Sequence, residues 1–298
     1  MKRPLLALTA VSGLLLTACG ASDPLSESSE SGAIVVGSAN FAENVLLGEL
    51  YAQGLEDAGF EVDRTSNIGS REVLFGQVES CGLHVVPEYN QALLNFADPE
   101  NGAVGADEVN ELLEDALPEG TGFGTPSPAE SNNALAVTAE TAEAHGLAEL
   151  ADLGPVSGEL TMGGPPEFET RWDGLVGLAE VYDIEFAGFN VLGDISGPIT
   201  VSALNGGNVD VAMMQTASPA MAENDFVILD DTESVLGVNQ VTPYYCSDAL
   251  DDDALAVLDD IGAALTTEDL QQMNYEYSVE NSDADLVVRT WLDEQDLS

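Results

Sequence analysis

The feature that most restricts the fold of this sequence is an alternation of short β-branched runs with longer runs of helical spacing, sustained along most of the chain. Residues 33–38 are a strand-like run. In residues 44–58, Leu46, Leu47, Leu50 and Leu55 fall on one helix face. Residues 60–66 read as the next strand, and a helix follows from about Gly69 to Glu79. Residues 83–86 read as a third strand, ending at Pro87-Glu88-Tyr89. A strand–helix–strand–helix–strand run of this length implies a twisted, largely parallel sheet. Ligands of such sheets sit outside the carboxyl ends of the strands.

The alternation is interrupted once. Residues 120–131 are rich in Gly, Pro and Ser, the composition of a crossing between two folded units. A second alternating unit follows, with strands expected at 134–138, 160–163, 189–192 and 209–214 and helices at 139–146, 174–182 and 198–204. Residues 226–229 are read as the start of a return segment, and helices over 252–265, 267–277 and 284–292 close the chain. The expected organisation is a discontinuous first lobe (33–128 plus 225–298), a second lobe (129–224) and a ligand cleft between them.

The N-terminus has the form of a targeting segment. Lys2 and Arg3 precede an apolar stretch from Leu5 to Leu16, too short to span a bilayer comfortably. Leu16-Thr17-Ala18-Cys19 resembles a bacterial lipobox, which implies removal of residues 1–18 and a lipid on Cys19. Residues 19–32 then read as a flexible tether. An ordinary secretory signal with a fortuitous cysteine would give the same pattern.

Charge narrows the partners. The sequence carries 54 acidic residues against 6 Lys plus Arg, a formal net charge of −48. Removing residues 1–18 takes away Lys2 and Arg3 and leaves arginine as the only fixed cation. Such a surface repels nucleic acid and anionic lipid, so nucleic acid is not an expected partner. The acids are interleaved with apolar residues, unlike a disordered acidic tail. A high-salt or alkaline habitat, where repulsion is screened within a few Å, is one cause; compositional bias of the lineage is the other.

Catalytic chemistry finds little support. Cys81 and Cys246 remain after Cys19, and in an oxidising compartment they form either a disulfide or two buried thiols. The only histidines are His84 and His145, neither placed to activate a cysteine. There is no metal-ligand cluster, and Gly163-Gly164 lacks the Lys-Ser/Thr of a phosphate-binding loop. No cofactor is expected. Glu43, Glu88 and Glu167 could approach the cleft, but acids are so abundant that their number alone carries little.

Several motifs occur in order. They are Val36-Gly37-Ser38-Ala39-Asn40-Phe41-Ala42-Glu43, Gly48-Glu49-Leu50-Tyr51-Ala52, Gly69-Ser70-Arg71-Glu72-Val73 and Pro87-Glu88-Tyr89 in the first half. Gly163-Gly164-Pro165-Pro166-Glu167-Phe168 with Arg171, Asp173-Gly174-Leu175, Gly177-Leu178, Leu229-Asp230-Asp231, the run 265–270 and Trp291-Leu292 follow. Together they resemble the glycine betaine/choline/carnitine-binding proteins of ABC importers, from about Ile34 to the C-terminus. The resemblance implies a type II periplasmic-binding-protein fold and a monomeric binding role without catalysis. It also implies delivery of a small polar or zwitterionic solute to an ABC permease and its ATPase.

In that family a box of tyrosines holds the quaternary ammonium, which has no N–H to donate and is held by aromatic faces. An arginine of the second lobe helps with the carboxylate. Tyr89 matches the first tyrosine and Arg171 the arginine, with Ser38 and Asn40 in the first motif. At the other box positions this chain has Asn133, Gln215-Thr216 and Asn239; Asn90-Gln91-Ala92 follows Tyr89, and Ala39 replaces a basic residue. A slip in alignment would instead bring in Tyr244 or Tyr245, and Trp172 is a further candidate for the cage. Amides donate and accept hydrogen bonds. They suit a primary or secondary ammonium, an amino acid or a polyol at least as well as a betaine. A sensor lipoprotein that transports nothing and an enzyme on the same fold also stay open on sequence alone.

Overall fold

The computed structural model describes residues 32–69, 71–103 and 105–298. The expected signal segment, Cys19 and all of the tether but Gly32 lie outside the described residues.

Two five-stranded sheets organise the chain. The first comprises β1 (Ile34–Gly37), β2 (Val62–Thr65), β3 (Val85–Tyr89), β4 (Thr121–Phe123) and β10 (Val241–Cys246), in the order β2-β1-β3-β10-β4. The second comprises β5 (Asn133–Thr138), β6 (Thr161–Gly164), β7 (Gly188–Val191), β8 (Val211–Gln215) and β9 (Phe226–Leu229), in the order β7-β6-β8-β5-β9. Each sheet places three parallel strands beside one antiparallel strand. That antiparallel strand is in each case the one that has just crossed from the other sheet: β10 runs against β3 and β4, and β5 against β8 and β9. The mixed α/β architecture expected from the alternation is therefore present, as two sheets of related topology.

The helices fill the layers around the sheets. α1 (Ala42–Asp57), α2 (Arg71–Glu79), α3 (Asn90–Ala97) and α4 (Ala106–Ala116) belong to the first half. α5 (Ala139–His145), α6 (Gly177–Tyr182), α7 (Pro198–Asn205) and α8 (Pro219–Glu223) belong to the second; α9 (Asp252–Ala264), α10 (Thr267–Ser278) and α11 (Ala284–Glu294) close the chain. The terminal helices return to the first sheet. Leu46, Leu47, Leu50 and Leu55 of α1 are buried in one core with Leu258, Ile261, Leu270, Val288 and Leu292. The approach is close: a Cβ on Gly54 would lie 2.3 Å from Ile261 Cδ1, so glycine at this helical position serves packing.

Two boundaries differ from the sequence reading. Residues 226–229 do not open the return; as β9 they pair with β5 in the second sheet, and Val235 and Leu236 pack in that sheet's core. Strand membership is decided by the pairing partner, which a local apolar run does not reveal. The helix expected over 174–182 begins only at Gly177. Residues Trp172–Val176 form a wider turn broken at Gly174 (φ −152, ψ −145), whose Cβ would collide with the Phe168 carbonyl oxygen at 2.2 Å. Five further elements have no counterpart in the sequence reading: α3, α4, α8, β10, and β4, which lies within the stretch read as a crossing.

The two crossings run side by side. Ser131 N–H donates to Asn239 O (2.9 Å), Ser127 N–H to Val241 O (2.8 Å) and Val241 N–H to Ala129 O (3.0 Å). Thr216 ties the second sheet to this ribbon: its hydroxyl donates to Glu130 O and accepts from Asn132 N–H. Cys81 and Cys246 form a disulfide with a Cα–Cα distance of 5.5 Å, joining the turn after α2 to the end of β10.

Candidate functional site

The carboxyl ends of β1, β3 and β8 converge on one hollow of about 480 Å³ beside the crossing ribbon. The turn after β1 supplies Phe41 and the first turn of α1 supplies Ala42 and Glu43; the last residue of β3 is Tyr89, and that of β8 is Gln215. Asn133 stands opposite Gln215 in register, so the two amides sit side by side across β5 and β8. The crossings contribute Ser131 and Asn239, and α10 contributes Asn274 and Ser278.

Glu43 is the electrostatic centre. Its carboxylate accepts from the Tyr89 hydroxyl (2.5 Å), from Asn274 Nδ2 (2.6 Å) and from the Ser131 hydroxyl. Burial pushes its pKa above the usual carboxylate range, and those three donors only partly offset the shift. Tyr89 is 6 % exposed; burial and the neighbouring Glu43 charge push its hydroxyl well above its ordinary value. The Phe41 ring lies almost parallel to that of Tyr89, with centroids 6.5 Å apart and planes inclined by 24°.

Among the described residues no arginine pairs with Glu43. Among the described residues Arg64 pairs with Glu49 and Glu56, Arg71 with Glu88, Arg171 with Asp173, and Arg289 with Asp57. Lysine does not occur among them. The hollow therefore holds a half-buried carboxylate, two aromatic rings, the guanidinium of Arg71 already paired with Glu88, and a ring of amides and hydroxyls. Asn274 is itself buried; its Nδ2 also donates to Ala217 O (2.9 Å), and its Oδ1 has no partner among the described residues.

The residues singled out from the sequence divide into three groups. Tyr89, Asn133, Gln215 and Asn239 line the hollow. Arg171 does not: it is exposed and borders an adjoining hollow of about 380 Å³, which shares Ala92, Asn133 and Asn239 with the first. Asn40 borders a smaller recess of about 210 Å³ behind Phe41 and Tyr89.

Ser38, Asn90 and Thr216 act as scaffold. Ser38 is buried under α1, where a Cβ on Gly48 would meet its Cβ at 3.0 Å. Asn90 is wholly buried and uses its side chain to join α3 to α4 and β10, accepting from Gln91 and Gln240 N–H and donating to Asn110. Thr216 is the strap to the crossing described above. Tyr244 is buried and stacks on Phe75 at 5.2 Å, and Tyr245 borders a separate groove beside β4, so neither reaches the hollow.

Sequence reasoning passed over Phe41, Arg71, Ser131 and Asn274 as site residues. Phe41 and Arg71 stand within quoted motifs and were open to recognition. Asn274 carries no local signal. Glu43 was one acid among 54. Of Glu88 and Glu167, Glu88 is consumed by its ion pair with Arg71 (2.7 Å), and the Glu167 side chain lies outside what is described. Among the described residues no group of three or more His, Cys, Asp or Glu side chains could hold a metal ion.

Comparison with known proteins gives the family and the fold. Residues 32–294 match the family model described as the substrate-binding domain of ABC-type glycine betaine transport systems. The chain is 28% identical over 304 residues to the glycine betaine-binding protein YehZ of Escherichia coli (strain K12), covering 97% of each. A glycine-betaine-binding protein of Pseudomonas aeruginosa is 30% identical over 163 residues, 51% of each chain. Among solved structures, apo YehZ from E. coli superposes with a TM-score of 0.80 at 26% identity, over 89% of this chain and 99% of that one. A glycine betaine/carnitine/choline ABC transporter structure superposes with a TM-score of 0.79 at 17% identity, over 89% and 99%.

Proposed function

The chain belongs to the family of substrate-binding domains of ABC-type glycine betaine transport systems, and from that premise we propose that its cleft takes a small solute with a methylated ammonium head. Its work is to bind solute outside the cytoplasm for a permease and its ATPase, and not to catalyse. The observation that carries the proposal is the half-buried Glu43 carboxylate, which accepts from neutral donors and pairs with no described arginine. Burying an ion is costly unless it is paired, and a positively charged solute head is the partner that would offset the cost. Phe41 and Tyr89 suit the same head, because a methylated nitrogen is attracted to ring faces and needs no acceptor for an N–H. The far end of the solute, carboxylate or hydroxyl, faces the amides of Asn133, Gln215 and Asn239 and the hydroxyls of Ser196 and Ser218.

A second reading rests on those amides. They favour a head that donates hydrogen bonds, such as a primary or secondary ammonium of an amino acid. A thermal-shift screen separates the two, using glycine, N-methylglycine, dimethylglycine and glycine betaine, with choline and a neutral polyol as outliers. A ligand at about a hundred times its dissociation constant stabilises by roughly 2.7 kcal/mol, a readable shift. The methylated-head reading expects the shift to grow with each methyl. A shift that is largest for glycine supports the amino-acid reading, and one confined to the polyol removes both.

The proposal includes closure of one lobe, built on the first sheet and the terminal helices, against the other, built on the second sheet. The paired crossings at Ser127–Ser131 and Asn239–Val241 act as the hinge. It includes a monomer anchored through a lipid on Cys19, working in high salt. The acid excess supports that setting: with each described arginine already paired, most carboxylates rely on dissolved ions for screening. The screen is therefore run in molar salt.

A further inference from the structure

Two serines of the second lobe, Ser196 and Ser218, border the hollow, and both are tied to the backbone of Gln215 at the end of β8. The Ser196 hydroxyl oxygen accepts from Gln215 N–H (2.7 Å), and Ser218 N–H donates to Gln215 O (3.1 Å). Ser218 also caps α8, its hydroxyl oxygen accepting from Ala220 N–H (3.2 Å). Each of these hydroxyl bonds uses an oxygen lone pair, and neither hydroxyl donates to a described residue. A hydroxyl carries one proton to give. Each serine therefore brings to the hollow a donor without an acceptor, and Ser218 is only 7 % exposed.

The backbone is built to hold Ser196 in place. Its φ of +60 lies in the left-handed region, which a non-glycine residue keeps only where its surroundings enforce it. Asp194 does so: its carboxylate accepts from Ile199 N–H (2.9 Å), Thr200 N–H (2.9 Å) and the wholly buried Thr200 hydroxyl (2.7 Å), fixing the loop to the first turn of α7. A Cβ on Gly197 would meet Asp194 Oδ2 at 2.4 Å, so the chain passes close over that carboxylate.

The cations nearby are already engaged. Arg71 borders the hollow but is committed to Glu88, and Arg171, beside Trp172, borders only the adjoining hollow and is paired with Asp173. The donors left at this end of the hollow are neutral.

We propose that Ser196 and Ser218 form a carboxylate subsite that works without an arginine, and that it makes the protein select a methylated ammonium bearing a carboxylate over the corresponding alcohol. This rests on the methylated-head reading given above and settles the other end of the solute. A carboxylate only accepts, so it satisfies both protons, and hydrogen bonds to an ionised group are about twice as strong as neutral ones. An alcohol brings no charge and a proton of its own. The acid excess acts the other way, because a formal charge of −48 favours a cation over a zwitterion. In molar salt that field is screened within about 3 Å, and the local donors decide.

Glycine betaine and choline share a head and differ at the far end. Both are titrated by calorimetry in molar salt into the wild type, Ser196→Ala, Ser196→Gly, Ser218→Ala and Arg171→Gln, with thermal melts of each unliganded protein. Wild type should bind glycine betaine about tenfold tighter than choline. Both Ser196 variants should lose about tenfold for glycine betaine and no more than about threefold for choline. Ser196→Gly frees the left-handed backbone of strain, so it keeps the test open if Ser196→Ala is poorly folded. Ser218→Ala also removes a helix cap and is read through the ratio of the two affinities, which a smaller folded fraction leaves unchanged. Equal wild-type affinities, or an equal change for both ligands in the serine variants, overturn the subsite and leave the methylated-head reading standing. A preference abolished by Arg171→Gln and kept by the serine variants hands the carboxylate to Arg171 and likewise overturns it. No wild-type binding of either ligand overturns both readings.

Discussion

Glu43→Gln is expected to weaken binding of a methylated ammonium solute by about 30-fold or more, on the order of 2 kcal/mol, while leaving the unliganded protein at least as stable as wild type. Losing one partner of a desolvated charge pair costs roughly 2–5 kcal/mol in comparable interfaces, and glutamine keeps the shape of the side chain without its charge. The stability half follows from the direction of the pKa shift. Burial raises the Glu43 carboxyl in the folded protein, so the fold prefers its neutral form. That preference is fully present below the unfolded-state value and is lost as pH rises through the folded value. At neutral pH the wild type therefore carries a penalty that the amide removes. Affinity should run the opposite way: a cation selects the ionised carboxylate, so wild-type affinity climbs as pH rises through the raised value and then levels. Glu43→Gln should show no such climb. The Tyr89 hydroxyl that faces Glu43 is held well above its ordinary value and does not compete for this window. Calorimetry across pH, with thermal melts of both unliganded proteins, reads both halves. A variant that binds as tightly as wild type, or a wild-type affinity that falls as pH rises, contradicts the assignment.

The second large effect concerns stability alone. Cys81 and Cys246 are 165 residues apart in sequence, so their bond removes much of the freedom of the unfolded chain. Removing it by paired serine substitution should cost about 2–5 kcal/mol. For a chain of this size that corresponds to a fall in melting temperature of about 5–15 °C. Both cysteines lie in the first lobe, away from the hollow, so solute affinity should stay within a few-fold of wild type. Differential scanning calorimetry with a parallel binding titration checks this. An unchanged melting temperature would show that the reduced protein retains the same constraint by packing.

The sequence carried the architecture further than it carried the site. Strand and helix announce themselves through periods of two and 3.6 residues, which are local and survive in a single sequence. That is why β1 could be placed from its β-branched run, α1 from its leucine spacing, and the three terminal helices from their helical pattern. β9 went to the wrong lobe because its four apolar residues are equally compatible with either sheet, and only pairing with β5 decides between them. β10 was missed because Pro243 interrupts it, although the residue sits in a strand bounded on both sides.

The site shows the same division. Tyr89, Asn133, Gln215 and Asn239 could be found because each stands at a recognisable family position near a strand end or crossing. Ser38, Asn90 and Thr216 stand at equally recognisable positions and turn out to brace the cleft from behind. Whether a polar side chain faces a cavity or a neighbouring backbone is a matter of one rotamer and one partner. The composition left Glu43 undistinguished from Glu88 and Glu167, the other acids expected near the cleft. A carboxylate becomes conspicuous only once the structure shows it half-buried among donors and paired with none of the described arginines.

The most direct test of the central claim is a structure of the protein with glycine betaine bound, grown in molar salt. The methylated nitrogen is expected within about 6 Å of the ring centres of Phe41 and Tyr89 and facing the Glu43 carboxylate, the contact range of a cation–π pair. The solute carboxylate is expected to turn toward the amides of Asn133 and Gln215. A solute seated with its carboxylate toward Glu43, or lodged in the groove beside Tyr245, would contradict that claim.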